Sequence, residues 1–250
     1  MATVSGSLGH EERTANEPRE NKLEPVVLSS IREVNSSVRL LRLKAFLPGQ
    51  WVDTFIPGVA QAGGFTITSS PSEARPSSHS SAFVELAVQA TRNPVSQWLW
   101  RPEKDILNAQ LVVRVGGSFT WPPHGLDAGD IERLVLVAGG KILFLPRLMD
   151  LVAAVADPNV SLRLFLTGTG DDEFIDHGQL PNLTYGRRIG DKDLISALDG
   201  FQTSVFGSEH DRLKTVAYVC GPPRMTDEVV AFLSRQSGMT EDRVRCEKWW

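Results

Sequence analysis

From Pro25 to about Trp121, apolar and polar positions alternate in short runs with a period near two. Residues 26–31 (VVLSSI), 37–46 (SVRLLRLKAF), 65–70 (FTITSS), 82–90 (AFVELAVQA) and 110–117 (QLVVRVGG) are rich in Val, Ile, Phe and Thr. Half-buried antiparallel strands need this pattern, because successive side chains point to opposite faces. Turn-forming stretches at 48–50, 57–64 and 69–81 separate the runs, the last a flexible loop on composition alone. A short helix around Ser96 to Trp100 breaks the series. Many short strands with Gly/Pro turns predict a small barrel or sandwich.

From Arg133 the period changes. Residues 134–140 (LVLVAGG) read as a buried parallel strand ending in glycines, and 145–156 (LPRLMDLVAAVA) as an amphipathic helix. Strand, helix, buried strand, helix and strand follow at 161–168 (with 183–186 as a further short strand), 191–201, 215–220, 225–238 and 243–250. Strands alternating with helices predict a parallel α/β sheet. The expected organisation is an antiparallel β-barrel over residues 25–125 and a Rossmann-like parallel-sheet domain over 130–250, divided near 122–132. Residues 1–24 are polar and mixed in charge, and read as a disordered tail.

Charge and cysteine content narrow the function classes. A net charge of -4 gives no basic patch for nucleic acid. Two cysteines, Cys220 and Cys246, are too few for a disulfide scaffold or for the usual four ligands of an iron–sulfur cluster. No apolar run approaches a membrane span. The first residues lack the apolar stretch of a signal peptide, and their acids argue against a mitochondrial presequence, so these features point to the cytoplasm.

The most specific string is Cys220-Gly221-Pro222-Pro223-Arg224-Met225, where a buried strand opens into a helix. In open α/β sheets ligands bind outside the carboxyl ends of the strands. Glycine permits close backbone approach and proline suits the first helical turn. An isolated Cys-Gly there is usually structural, since free Cys behaves as a small hydrophobe. Gly139 and Gly140 end another strand, in a turn suited to a pyrophosphate at a helix N-terminus, or simply to positive φ. In 63–70, Phe65 can support a planar ring and Thr66 can bond a ring nitrogen, or the segment is a plain strand. Ser96 reads as an N-cap, with or without a phosphate. The terminal pair Trp249 and Trp250 suggests docking, or packing on the protein's own surface.

Together these residues resemble the ferredoxin-reductase superfamily. GGFTITSSP, VRVGGSF and EKWW are most similar to the oxidoreductase NAD-binding domain-containing proteins, over roughly residues 25–250. The resemblance implies a barrel that binds FAD and an α/β domain that binds NADH or NADPH, with hydride passing between them and electrons leaving to a separate acceptor protein. It places Phe65 on the flavin ring, Thr66 near the reactive flavin nitrogen, and Ser96 at the pyrophosphate. Ile67, Thr68, Gly116 and Gly117 fall among the cofactor-binding positions. Gly139 and Gly140 match the nucleotide turn. Cys220, Gly221, Pro222 and Met225 lie beside the nicotinamide, Glu247 helps orient it, and Trp249 or Trp250 shields the flavin. The implied catalytic residues are Cys220, Glu247 and Thr66. The resembled proteins lean mitochondrial.

The chain departs from that pattern twice. Gly63 stands where the flavin motif usually has an arginine, a contact worth about 1.5–3 kcal/mol; Arg75 and Arg92 are the substitutes in reach of sequence argument. The turn after Gly140 lacks its third glycine, and Ile142, Leu143 and Phe144 precede a proline that comes one residue late. The segment 141–160 reads either as real divergence or as an altered gene model. These departures motivate an alternative: a degenerate member acting as a nucleotide-binding assembly or regulatory subunit. Asp171 and Asp172 would repel a 2′-phosphate and lean toward NADH, or lie in a solvated loop. With no G-x-S-x-G elbow and no full G-x-G-x-x-G, a hydrolase or plain Rossmann dehydrogenase is disfavoured. His124 and His177 lie in polar loops without metal spacing.

Overall fold

The computed structural model describes residues 9–35, 38–43, 49–75, 82–140, 145–155, 157, 159–167, 180–181, 183–200 and 207–248. The chain divides into two compact units, Met1–Ala128 and Gly129–Trp250.

The first unit is antiparallel. Strands β1 (Glu24–Val27), β4 (Trp51–Phe55), β5 (Gly63–Thr66) and β7 (Gln110–Gly116) form a sheet in the order β1-β7-β4-β5. Strands β2 (Ile31–Asn35), β3 (Val38–Leu43) and β6 (Val84–Gln89) form a second sheet, β2-β3-β6. The sheets join where Ile67 bridges Leu86, and where the Thr68 amide donates to the Glu85 carbonyl at 2.8 Å. Among the described residues the expected barrel is thus two sheets bridged along one edge, without a continuous ladder around it. Short helices α2 (Pro94–Leu99) and α3 (Glu103–Ile106) add Val95, Leu99 and Ile106 to the core. Leu28, Val52, Leu86, Val88, Leu99 and Leu111 form the centre of the core. Apart from Leu28, which follows β1, they come from strands and from α2.

Residues 9–24 differ from the expected disordered tail. Helix α1 (His10–Arg13) and the following arm lie on the outer face of β4, β5 and β7. The arm extends the ladder: Arg19 bridges Gly116, the Glu20 amide donates to the Val115 carbonyl at 2.9 Å, and the Gly117 amide donates to the Pro18 carbonyl at 3.0 Å. Beneath it Asp53 is 0% exposed. Arg19 Nε and Arg114 Nε both donate to Asp53 Oδ2 at 2.9 Å, and His10 Nε2 faces Oδ1 at 3.1 Å. Trp51 lies under the Arg19 guanidinium, 5.0 Å from carbon to ring centre. Composition hid this arm, because its fixed points are a few polar side chains meeting one buried carboxylate, and no apolar run announces it.

The second unit holds a parallel sheet, β12-β11-β8, from β8 (Arg133–Ala138), β11 (Thr215–Cys220) and β12 (Val244–Glu247). A separate parallel pair joins β9 (Leu164–Phe165) to β10 (Thr184–Tyr185). Helices α4 (Leu145–Val155), α5 (Asp191–Asp199), α6 (Ser208–Arg212) and α7 (Pro223–Leu233) complete it. Val135, Val137, Ala217, Val219 and Val244 pack with Leu194 and Leu198 of α5 and Val229 and Leu233 of α7. Strand β11 is buried along its length except for Cys220. Strand β8, expected to be wholly buried, is covered on one face only: Leu134 and Leu136 are exposed, the latter at 68%. Leu148, Leu151 and Val155 of α4 are exposed as well. The arrangement accounts for the helical and strand periods while leaving one apolar face of β8 open.

Burial alone would push the Asp53 carboxyl up, but hydrogen bonds from His10, Arg114 and Arg19 outweigh it and hold it below the ordinary value. A depressed folded value means that its contribution is fully present above the unfolded value of about 3.9 and is lost as pH falls through the folded one. Residues 9–20 are therefore expected to keep their protection from protease down to about pH 4 and to lose it in stronger acid. Equal cleavage of the arm on both sides of that window counts against the arrangement.

Candidate functional site

The α/β unit gathers its predicted residues at one end of the sheet. Cys220 pairs in register with Ala138 on one side and with Glu247 on the other. All three strands run parallel, so these residues share the carboxyl edge, where such sheets bind ligands. Just beyond, the Gly139 amide donates to the Cys220 carbonyl at 2.9 Å. Gly139 and Gly221 then pass so closely that a Cβ on Gly221 would lie 3.1 Å from the Gly139 nitrogen. The Met225 side chain fills the angle between them: a Cβ on Gly139 would sit 2.2 Å from its sulfur. Buried Thr226 donates its hydroxyl to the Gly221 carbonyl at 3.1 Å, tying the turn to the start of α7. Pro222 and Pro223 fit there because the first helical N–H groups have no intrahelical partner. Lys248 pairs with Asp227 at 2.6 Å and secures the end of β12 against α7.

Gly140 serves a different need. Its φ is +107°, and a Cβ there would meet nothing within 4 Å. The left-handed backbone requires glycine, while the space beside it stays open. This is the approach a nucleotide turn needs, and the residues present fit a nicotinamide nucleotide at this edge. Burial pushes the Cys220 thiol up, and the Glu247 carboxylate raises it further, with Cys246 adding to the shift. These effects disfavour the thiolate, so nothing among the described residues at this edge activates Cys220 as a nucleophile. Cys246 sits in register with Val219, one residue back along β11, and packs against the core. Both cysteines are free thiols.

The barrel unit treats its predicted residues differently. Phe65, expected on a flavin ring, is 8% exposed and belongs to the core. The cause is local. Strand β5 pairs Phe65 with Val52, so positions 63 and 65 face inward. Gly63 leaves a gap there, and Phe65 Cε2 and the Val95 side chain fill it; a Cβ on Gly63 would lie 2.8 Å from each. Ile67 is likewise a core residue. Thr66 is exposed at the end of the strand. The Thr68 hydroxyl donates to Glu85 Oε1 at 3.1 Å.

Ser96 is not the helix cap. Asn93 is, its Oδ1 accepting from the Val95 and Ser96 amides at 2.9 and 3.3 Å. Ser96 is 1% exposed and donates its hydroxyl to the Gln89 carbonyl at 2.6 Å. An Asn immediately before an N1 proline was the available signal for this cap. Gly116 and Gly117 make room for Trp51, whose indole lies 2.7 Å from where either Cβ would stand. Toward the phosphates of FAD these residues do not fit: the amides are capped, the serine is committed, and Gly63 brings no cation. Arg75 and Arg92 are exposed beside this region. Lys141 to Phe144, Asp171, Asp172, Trp249 and Trp250 lie outside the described residues.

No family model matches the chain. Among curated proteins, human oxidoreductase NAD-binding domain-containing protein 1 is 30% identical over 277 residues, covering 96% of this chain and 84% of that protein. Its zebrafish (Danio rerio) counterpart is 30% identical over 287 residues, covering 96% and 97%. The chain belongs to the oxidoreductase NAD-binding domain-containing protein 1 family. Solved structures with the same fold include the CS-b5R domains of human Ncb5or in an NAD+ form, at TM-score 0.57 and 16% identity, covering 91% of this chain and 70% of that one. A cytochrome P450 reductase from Amycolatopsis gives TM-score 0.56 and 18% identity, covering 92% and 71%. The fold of this family member is therefore that of ferredoxin-reductase-like proteins.

Two outcomes test the edge of the sheet. Gly139→Ala should cost about 1–3 kcal/mol by forcing Met225 aside, and Met225→Ala should recover part of that loss in the double variant. Strictly additive losses in urea unfolding would count against the wedge. In a Cys246→Ser background, Glu247→Gln removes a charge that opposes the thiolate. Cys220 should then alkylate faster with iodoacetamide at pH 8; an unchanged rate would place Glu247 too far away to matter.

Proposed function

We propose that the chain is an NAD(P)H-dependent oxidoreductase of the ferredoxin-reductase type, whose α/β unit binds the nicotinamide nucleotide, with FAD the carrier that the family resemblance implies. The observation that supports this most is the alignment of Cys220 and Glu247 at the carboxyl edge beside the Gly139–Gly221 approach. A bound nicotinamide supplies the hydride chemistry itself. The protein's own part is positioning. Gly140 leaves open space for a phosphate-bearing group, and Gly221 lets the backbone come near a ring. Cys220 offers a small neutral surface instead of a reactive thiolate. Glu247, one strand away, adds the charge sign that favours a cationic oxidised ring. The electrons pass on to a separate acceptor protein, and NADH is the favoured donor through Asp171 and Asp172. The barrel's pyrophosphate positions do not fit a flavin: Ser96 is committed to Gln89, Asn93 takes the helix amides and Gly63 brings no cation.

That misfit favours a second reading, a nucleotide-binding regulatory or assembly subunit with no flavin turnover. The specific observation is Phe65 packed into the core over Gly63. One experiment separates the two. The purified protein is titrated with FAD and then reduced anaerobically with NADH or NADPH, with visible absorption as the readout. The oxidoreductase reading expects a flavin band that bleaches with nucleotide. A protein that binds nucleotide but never acquires a flavin band establishes the second reading instead.

A further inference from the structure

The turn from β11 into α7 has few backbone donors to hold it, because Pro222 and Pro223 carry no N–H. On one side of it the Gly139 amide donates to the Cys220 carbonyl at 2.9 Å. On the other the Thr226 amide donates to the Pro222 carbonyl at 3.0 Å. The Gly221 carbonyl lies between these two bonds, and a side chain holds it: the Thr226 hydroxyl donates to it at 3.1 Å. Thr226 is 0% exposed. A threonine within a helix ordinarily turns its hydroxyl back to a carbonyl three or four residues earlier. This one reaches five residues back, past the start of α7, to the edge of the sheet. Gly221 depends on such a restraint, since a glycine has no side chain to limit its own backbone angles. Its surroundings are tight. A Cβ there would lie 2.6 Å from Met225 Cε, 3.1 Å from the Gly139 nitrogen and 3.2 Å from the Gly139 Cα. A rotation of the Gly221 peptide is therefore felt by Gly139, and next to it stands Gly140, whose left-handed backbone opens onto free space. The residue before Gly221 is Cys220, level with Glu247.

We infer that Thr226 is a positioning residue for the nicotinamide nucleotide: its buried hydroxyl fixes the Gly221 peptide, and through it the Gly139–Gly140 turn and the placing of Cys220. The inference deepens the nucleotide assignment of the α/β unit and rests on it for its binding readout. Thr226 is itself fully buried and acts only through Gly221. The hydroxyl is not needed for the ladder of α7, because the Thr226 amide already bonds the Pro222 carbonyl. A valine would fill almost the same volume and leave the Gly221 carbonyl without its donor. The freed peptide would then turn toward another partner, with no side chain of its own to oppose the movement.

The test compares Thr226→Val, which removes the donor, with Thr226→Ser, which keeps it, both in the full chain. The readouts are the Kd for NADH and for NADPH by isothermal titration calorimetry, the rate of Cys220 alkylation by iodoacetamide in a Cys246→Ser background, and urea unfolding. Thr226→Val should weaken nucleotide binding about fivefold or more and change the alkylation rate by a similar factor, and Thr226→Ser should restore most of both. The first two readouts are taken on folded protein, so a side chain that merely stabilised α7 would lower the unfolding midpoint and move neither. That pattern overturns the inference. So does a serine variant as impaired as the valine one, since the methyl group would then be the part that matters. Should the valine variant fail to fold, Thr226→Ala removes the same donor and is read in the same way. A wild-type protein that binds neither NADH nor NADPH overturns the nucleotide assignment; an alkylation rate that shifts with valine and returns with serine would still uphold the positioning of the turn by Thr226.

Discussion

The close approach of Gly139 and Gly221 is the constraint on which the α/β unit depends. Two parallel strands can end side by side almost anywhere, but here their backbones converge within a side chain's width, with Met225 wedged behind them. That convergence fixes where α7 begins, and so which face of the sheet Val229 and Leu233 cover. It also sets Cys220 level with Glu247. A methyl group at either glycine has to displace the methionine or part the strands, and in a close-packed interior neither movement stays local.

The same economy of side chains works differently in the barrel. Gly63 and Gly64 sit side by side on one strand, and each is filled by a group from elsewhere: Phe65 and Val95 from within, His10 from outside. Gly116 and Gly117 are filled by Trp51. Glycines in a nucleotide-binding fold invite assignment to the ligand. Among the described residues many of them are spaces that the protein itself occupies, whereas Gly140 at the sheet edge opens onto free space.

Much of this was legible in the sequence, and for identifiable reasons. The period-two runs located β3, β6 and β7 but passed over β4, and the switch to helix-length spacing located the α/β unit, because burial on one face leaves a repeating imprint. The string around Cys220 was readable because a strand, a glycine and two prolines each restrict the backbone in a known way. The arm was not legible. His10, Arg19 and Arg114 are ordinary polar residues until the fold brings them to Asp53, and nothing local distinguishes them from solvated charges. The burial of Phe65 was not legible either, for a related reason. An aromatic beside a threonine does not say which face of its strand is inside; that depended on pairing with Val52 and on the gap at Gly63. The half-open face of β8 was hidden because Leu134 and Leu136 carry the same apolar label as the buried valines beside them.

The arm also bears on where this chain can be cut. Its composition invites a boundary just before Pro25, and a fragment starting there would retain every strand of both sheets. It would also lose His10 and Arg19, and leave Asp53, 0% exposed, with Arg114 as its remaining cation. With the arm gone that carboxylate would open to water, and the hydrogen bonds that Pro18 and Glu20 make to Gly117 and Val115 would be lost with it. The trimmed barrel would also uncover the indole of Trp51. A fragment meant to keep the first unit as the structure has it therefore begins near Gly9, inside a stretch that reads as dispensable.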